Sequence, residues 1–267
     1  MTIPYGINKK GALLMKSSIL SAKEVSKSFA HNGGQVHILS HVSLDLYKGD
    51  FTVVMGASGS GKSTLLYALS GMDRVTAGQV LYNGRNIAAL KEKELSKLRY
   101  SDFGFVFQQM HLLGNLSIFE NVVVPGYLNK KNTADKVRKK ANELLDRMGL
   151  SAVKTHLPSQ VSGGEQQRCA IARAVINTPV VLFADEPTGA LNRQNSTGVL
   201  DLLTGLNEDG QSILMVTHDL KAALRATRIL YLEDGNITGE LSLPAYGTQD
   251  EKSRETQVNA WLESMEW

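Results

Sequence analysis

Nine consecutive residues, Gly56-Ala57-Ser58-Gly59-Ser60-Gly61-Lys62-Ser63-Thr64, match the pattern G-x-x-x-x-G-K-[ST] at every fixed position. Glycines spaced in this way let backbone N–H groups turn inward around an anion, in conformations that a Cβ penalises. Lys62 is then placed to reach the β- and γ-phosphates of a nucleotide, and the Ser63 hydroxyl to ligate Mg²⁺. Three further positions suit the same chemistry. Asp185-Glu186 follow the apolar run Val180-Val181-Leu182-Phe183-Ala184. Asp185 suits Mg²⁺ held through water, and Glu186 is placed to orient and polarise a water for in-line attack at the γ-phosphorus. His218 ends the next apolar run, where a contact with the γ-phosphate competes with a purely structural role. Gln108 closes Phe105-Val106-Phe107, and its amide can reach Mg²⁺ or the attacking water.

A second cluster, Ser162-Gly163-Gly164-Glu165, opens a stretch that reads as helix through Gln166-Gln167-Arg168. Ser162 with Glu165 three residues later is a capping box, and the glycines leave the first N–H groups of the helix accessible, which makes a second anion site. A helical insert separates it from the phosphate loop, so one copy cannot readily join the two. Two copies facing head to tail can, each covering the other's nucleotide. Phe29, in Lys27-Ser28-Phe29, is placed to stack on adenine, a contact worth about 1–3 kcal/mol per base. Taken alone, an aromatic there would be core.

These residues need a scaffold that aims them at one point. Asp50-Phe51-Thr52-Val53-Val54-Met55 before the loop and Leu65-Leu66-Tyr67-Ala68-Leu69 after it supply strand, loop and helix. Residues 180–184 and 212–217 are continuous apolar runs, as strands covered on both faces of a parallel sheet read. Ligands of such sheets bind beyond the strand C-termini, where Asp185, Glu186 and His218 fall. Residues 18–29 and 36–55 alternate apolar and polar, with turns at Gly33-Gly34 and Gly49, and predict antiparallel strands. Asn83-Gly84 and Asp234-Gly235 mark tight hairpin turns. From Gln108 to about residue 160 the reading is mainly helical. Ala134, Val137, Ala141, Leu144, Leu145 and Met148 fall on one face of a helix over 133–148 that Gly149 ends. Residues 243–250 read as a linker. Val258, Trp261, Leu262 and Met265 then recur as on an amphipathic helix, which packs on its own domain or on a partner. The expected division is an extension over 1–17, a main domain over 18–240 with an inserted helical subdomain over about 109–178, and a linker and helix over 241–267. Met15 is a second candidate start.

The net charge of the 267 residues is +3, from 29 basic and 26 acidic side chains, and no polybasic tract dominates, which argues against nucleic acid as the main partner. The single cysteine, Cys169, excludes an intrachain disulfide and favours a reducing compartment. Its neighbours Ala170, Ile171 and Ala172 mark it as a core residue. No run approaches the ~18 apolar residues of a membrane span, and the run at 11–15 is too short for a signal peptide. A cytoplasmic location is expected, with any membrane role arising through a partner.

Together these residues resemble the ATP-binding subunits of ABC transporters over about residues 18–240. The resemblance rests on an aromatic A-loop (Phe29), Walker A (56–64), Q-loop (Gln108), signature Val161-Ser162-Gly163-Gly164-Glu165-Gln166, Walker B (181–186) and H-loop (His218). Leu69-Ser70-Gly71-Met72-Asp73, Ile118-Phe119-Glu120-Asn121-Val122 and Asp185-Glu186-Pro187-Thr188-Gly189-Ala190-Leu191-Asn192 are similar to one branch. That branch holds the macrolide-export, lipoprotein-release and bacitracin-type antimicrobial-peptide resistance ATPases, with a related cell-division ATPase. Asn192 stands where the family often has aspartate, which resembles the antimicrobial-peptide group, and Val161 replaces the usual leucine. The resemblance implies an α/β fold: a RecA-like P-loop NTPase core, an antiparallel β subdomain and an inserted α-helical subdomain. It also implies ATP with Mg²⁺, a head-to-tail dimer closed by ATP and opened by hydrolysis, and a membrane permease docked near Gln108. The chain would then sit at the cytoplasmic face of the cell membrane. Two rival readings stand beside transport. One is an ATPase that moves a signalling or division partner. The other is a soluble phosphotransferase, against which the second anion-binding helix argues.

Overall fold

The apolar strands bury side chains on alternate faces, and this sets the architecture. In chain order the elements begin with strands β1 (Tyr5–Ile7), β2 (Leu13–Met15), β3 (Ser18–His31), β4 (Gly34–Tyr47) and β5 (Phe51–Met55). Helix α1 (Lys62–Leu69), strands β6 (Ala77–Tyr82) and β7 (Arg85–Asn86), helix α2 (Glu92–Ser101) and strand β8 (Phe103–Phe107) follow. Three helices come next, α3 (Ile118–Leu128), α4 (Ala134–Arg147) and α5 (Gly163–Val175). Then β9 (Val181–Asp185), α6 (Arg193–Glu208), β10 (Ser212–Val216), α7 (Leu220–Ala223), β11 (Arg228–Glu233), β12 (Asn236–Ser242) and α8 (Glu251–Glu263) complete the chain. This computed structural model describes residues 5–7, 13–15, 17–31, 34–247, 249 and 251–267. Most of the expected extension over 1–17, and Gly33 of the turn expected at Gly33-Gly34, lie outside the described residues.

A six-stranded sheet in the order β12-β11-β5-β10-β9-β8 is parallel apart from the β12 edge. On one of its faces Phe51, Val53, Met55, Leu182, Ala184, Ile213 and Met215 pack with α3, α4, α5, α6 and α8. On the other, Val54, Val181, Phe183, Leu214 and Val216 pack with α1 and the antiparallel sheet β4-β3-β6-β7. This double burial is why the central strands read as unbroken apolar runs. At about 25 cal/mol per Å² of apolar area removed from water, it is the main force holding the layers together.

Residues 109–117 depart from the helical expectation. The first helix after β8 starts at Ile118, capped by Ser117. Buried Asn121 explains the irregular stretch: its side chain accepts from the Leu113 N–H at 2.7 Å and donates to the carbonyls of Leu113, Leu116 and Ser117. Those local bonds satisfy backbone groups that a helix would otherwise pair. Helix α4 buries Val137, Ala141 and Leu145, while Ala134 is exposed in its first turn. Helix α8 packs on its own domain, with Val258 and Leu262 buried and Trp261 edge-on to Tyr231. It begins at Glu251, about two turns before its first buried apolar residue, Val258, and Arg254 between them is buried as well. Cys169 is core, as expected.

Candidate functional site

Strand register brings the candidate residues together. Phe107 lies opposite Asp185, Asp185 opposite Val216, and Val216 opposite Val54. Gln108, Glu186, Thr217 and Gly56 therefore all leave the sheet at one edge, each within a residue or two of its strand end. That is the ligand-binding edge of a parallel sheet.

The turn from β5 into α1 uses glycine where nothing else fits. Gly56 has φ 152°, and a Cβ there would collide with the Leu232 carbonyl oxygen. Gly61, at φ 101°, is the N-cap of α1. Lys62 is buried, and its Nζ donates to the carbonyls of Gly56 at 2.8 Å and Ala57 at 2.7 Å. Burial lowers its pKa, with Glu186 and Asp185 pulling the other way. The Ser60 hydroxyl is buried without a hydrogen-bond partner among the described residues.

The two carboxylates have different surroundings. Asp185 accepts from Ser63 Oγ at 2.7 Å on one oxygen and from the Tyr67 hydroxyl at 2.6 Å on the other. Burial first, and then the bond to Asp185, push the Tyr67 phenol up to about 12. Glu186 accepts from Thr217 Oγ1 at 3.0 Å and lies 2.9 Å from His218 Nδ1. Its backbone is held at φ 43°, a left-handed conformation that costs a non-glycine residue about 1–3 kcal/mol and clusters at functional sites.

Ser58, Gly59, Gly61, Lys62, Ser63, Thr64, Gln108, Glu186 and His218 line one cavity of about 440 Å³, with Ile38 of β4 on its rim. Gly56, Ala57 and Ser60 shape the loop from behind. A buried lysine, an unpartnered hydroxyl and a glycine-lined cradle fit a polyphosphate. The hard oxygens of Ser63 and Asp185, side by side, together with the Gln108 amide, fit Mg²⁺.

Other candidate residues lie apart from this cavity. Phe29, on β3, is 45% exposed, with Lys27 Nζ 4.6 Å from its ring centroid, and does not line the cavity. Ser162, Gly163, Gly164 and Glu165 form the expected capping box at the start of α5, also away from it. The Ser162 hydroxyl donates to the Glu165 carboxylate, which holds that carboxyl below its usual range. Asn192 caps α6 by accepting from the Asn195 N–H.

Sequence reasoning missed two residues. Tyr67 reads as one more apolar helix position. Gln167 reads as part of a polar helix start, yet it is fully buried and donates to the carbonyls of Phe107 at 3.1 Å and Pro187 at 2.8 Å. It ties α5 to both loops that carry Gln108 and Glu186.

Comparison with known proteins names the family. The family model described as ABC transporter matches residues 39–189. The chain belongs to the ABC transporter family. An uncharacterized ABC transporter ATP-binding protein of Methanocaldococcus jannaschii is 42% identical over 219 residues, 82% of this chain and 97% of that one. The macrolide export ATP-binding/permease protein MacB of Pasteurella multocida is 38% identical over 255 residues, 95% of this chain and 38% of that protein. Its namesake in Wolinella succinogenes is 42% identical over 84% of this chain and 35% of its own length. The chain thus spans little more than a third of these macrolide-export relatives. Among solved structures, a dimeric bacterial ABC transporter cassette superposes with TM-score 0.79 at 38% identity, covering 85% of this chain and all of that one. A dimeric post-hydrolysis cassette bound to ADP and Pi gives 0.78 at the same identity and coverage. The expected α/β cassette fold, with its antiparallel sheet and helical subdomain, is the fold observed.

Proposed function

We propose that this cassette powers a membrane export or resistance complex, with antimicrobial peptides or similar amphipathic molecules as cargo and a permease as partner. One observation carries the reading: the cavity is lined by phosphate-loop residues, Gln108, Glu186 and His218, while residues 162–165 lie outside it. A second copy, facing head to tail, supplies its Ser162 and the start of its α5 to the open side of the nucleotide. Lys62 and the loop N–H groups hold the phosphates. Glu186, fixed by Thr217 and His218, orients the attacking water and takes its proton. Mg²⁺, held through Ser63, Asp185 and Gln108, supplies charge neutralisation on the phosphates. Phe29 stacks on adenine with the ring face that Lys27 leaves free.

The permease docks at a groove of about 340 Å³ lined by Met72, Tyr100, Phe107, Leu128 and Arg173. Leu128 is 60% exposed and offers an apolar contact. The groove borders β8, the strand that ends at Gln108, so nucleotide and partner act on one element. Docking there holds the chain at the cytoplasmic face of the membrane. Among the described residues no helix is long and apolar enough to cross one. Residues 18–240 are the proposed cassette, with the helical subdomain over about 109–178. Asn192 supports the peptide cargo, and the relatives named for macrolide export support an amphipathic one more broadly.

Glu186→Gln removes the base and keeps the shape, so the variant should bind ATP and be trapped as an ATP-bound dimer. Light scattering with and without ATP measures this, and a monomer in both conditions overturns the facing-dimer reading.

A further inference from the structure

Ser63 and Tyr67 are four residues apart on α1, so they share one helix face. That face meets the end of β9, where Asp185 is 9% exposed. The two hydroxyls divide one carboxylate between them: Ser63 Oγ donates to Oδ1 at 2.7 Å and Tyr67 to Oδ2 at 2.6 Å. Two donors on opposite oxygens fix both the direction and the plane of the carboxyl group, which one donor leaves free to rotate about its terminal torsion. The Tyr67 ring packs against the core between α1 and the two sheets, so its hydroxyl is delivered by a braced side chain.

We propose that Tyr67 is a positioning residue that holds the Asp185 carboxylate turned toward Ser63, and so sets how strongly Mg²⁺ joins the bound nucleotide. The proposal rests on the ATP-site reading above and adds to it a residue that touches neither nucleotide nor metal. Tyr67 does not line the cavity, and its action runs wholly through Asp185. Ser63 has its own oxygen to offer the metal, so Tyr67 is the donor whose only task at Asp185 is alignment. Orientation of a metal-binding carboxylate by an outer hydrogen bond is a general means of tuning a site, commonly worth about 10–100-fold in metal affinity.

The test uses the full chain, a fluorescent ATP analogue and MgCl₂. Tyr67→Phe keeps the ring and removes only the hydroxyl. Its thermal midpoint, read alongside, checks that the brace survives. The Mg²⁺ concentration for half-maximal tightening of analogue binding should rise roughly tenfold, the worth of one hydrogen bond to a charged group. Affinity in excess EDTA should stay unchanged. In an Asp185→Asn background, Tyr67→Phe should shift the Mg²⁺ dependence by less than about twofold, because both changes act through one carboxylate. An unchanged Mg²⁺ dependence overturns the proposal. So does an equal loss with Mg²⁺ and with EDTA, or a shift that persists in the Asp185→Asn background, since each is the mark of packing alone. Failure of the unsubstituted chain to bind the analogue at all instead overturns the ATP-site reading beneath it.

Discussion

Replacing Lys62 by methionine keeps the length of the side chain and removes its charge. The buried ammonium donates to the carbonyls of Gly56 and Ala57 at 2.8 and 2.7 Å. Binding a polyphosphate exchanges these neutral acceptors for anionic oxygens. Hydrogen bonds to charged partners are worth about 1.5–3 kcal/mol, against about 1 for neutral pairs. Two exchanges, with the Coulomb attraction of a site shielded from bulk water, come to about 3 kcal/mol. That is roughly a hundredfold in Kd. The assay is calorimetry with MgATP, both proteins carrying Glu186→Gln so that the nucleotide survives the titration. Proton linkage gives a second readout. Burial holds the ammonium below its ordinary 10.5, and a bound anion favours the charged form. Binding then takes up a proton above the lowered value, so affinity falls as pH rises past it. Methionine abolishes that fall. An affinity within about threefold of the parent, or identical pH profiles, refutes Lys62 as the phosphate contact.

Arg254 anchors α8 by donating to the carbonyls of Leu224 at 2.6 Å, Pro244 at 2.9 Å and Ala226. Arg254→Ala should lower the unfolding free energy by about 3 kcal/mol in urea denaturation, because it strips a charged donor from buried acceptors. A loss below about 1 kcal/mol would mean that apolar contacts alone dock the helix. Burial pushes the Cys169 thiol up to about 12, so a thiol reagent at neutral pH should label the chain only after unfolding. Equal labelling rates in native and denatured protein would contradict this.

Much of the site was legible because its chemistry is local. A phosphate loop is one turn and the start of one helix, and a capping box is four residues long, so residue type and spacing specify both. The strand-end carboxylates and His218 were legible by a longer route: apolar runs imply a parallel sheet, and such sheets gather their C-terminal ends. Contacts between distant segments were not legible. Tyr67 meets Asp185 across 118 positions, and nothing in its helical spacing distinguishes an apolar ring from one with a working hydroxyl. Gln167 and Arg254 carry the same lesson, since polar and charged residues read as solvent-facing until the carbonyls they satisfy are known. The stretch over 109–117 misled because its leucines suggest helix, while Asn121, which pins it as turns, lies within the next helix.

The left-handed backbone at Glu186 sets stability against the role proposed for its carboxylate. At φ 43° the backbone favours glycine or asparagine, and glutamate stands there against that preference. On the proposed role of Glu186, a drift toward greater stability at this one position runs toward a cassette that still folds and binds ATP yet no longer turns over. Screens that select variants for thermal tolerance alone would enrich such inactive chains. Turnover must be kept as a second criterion wherever this cassette is engineered for robustness.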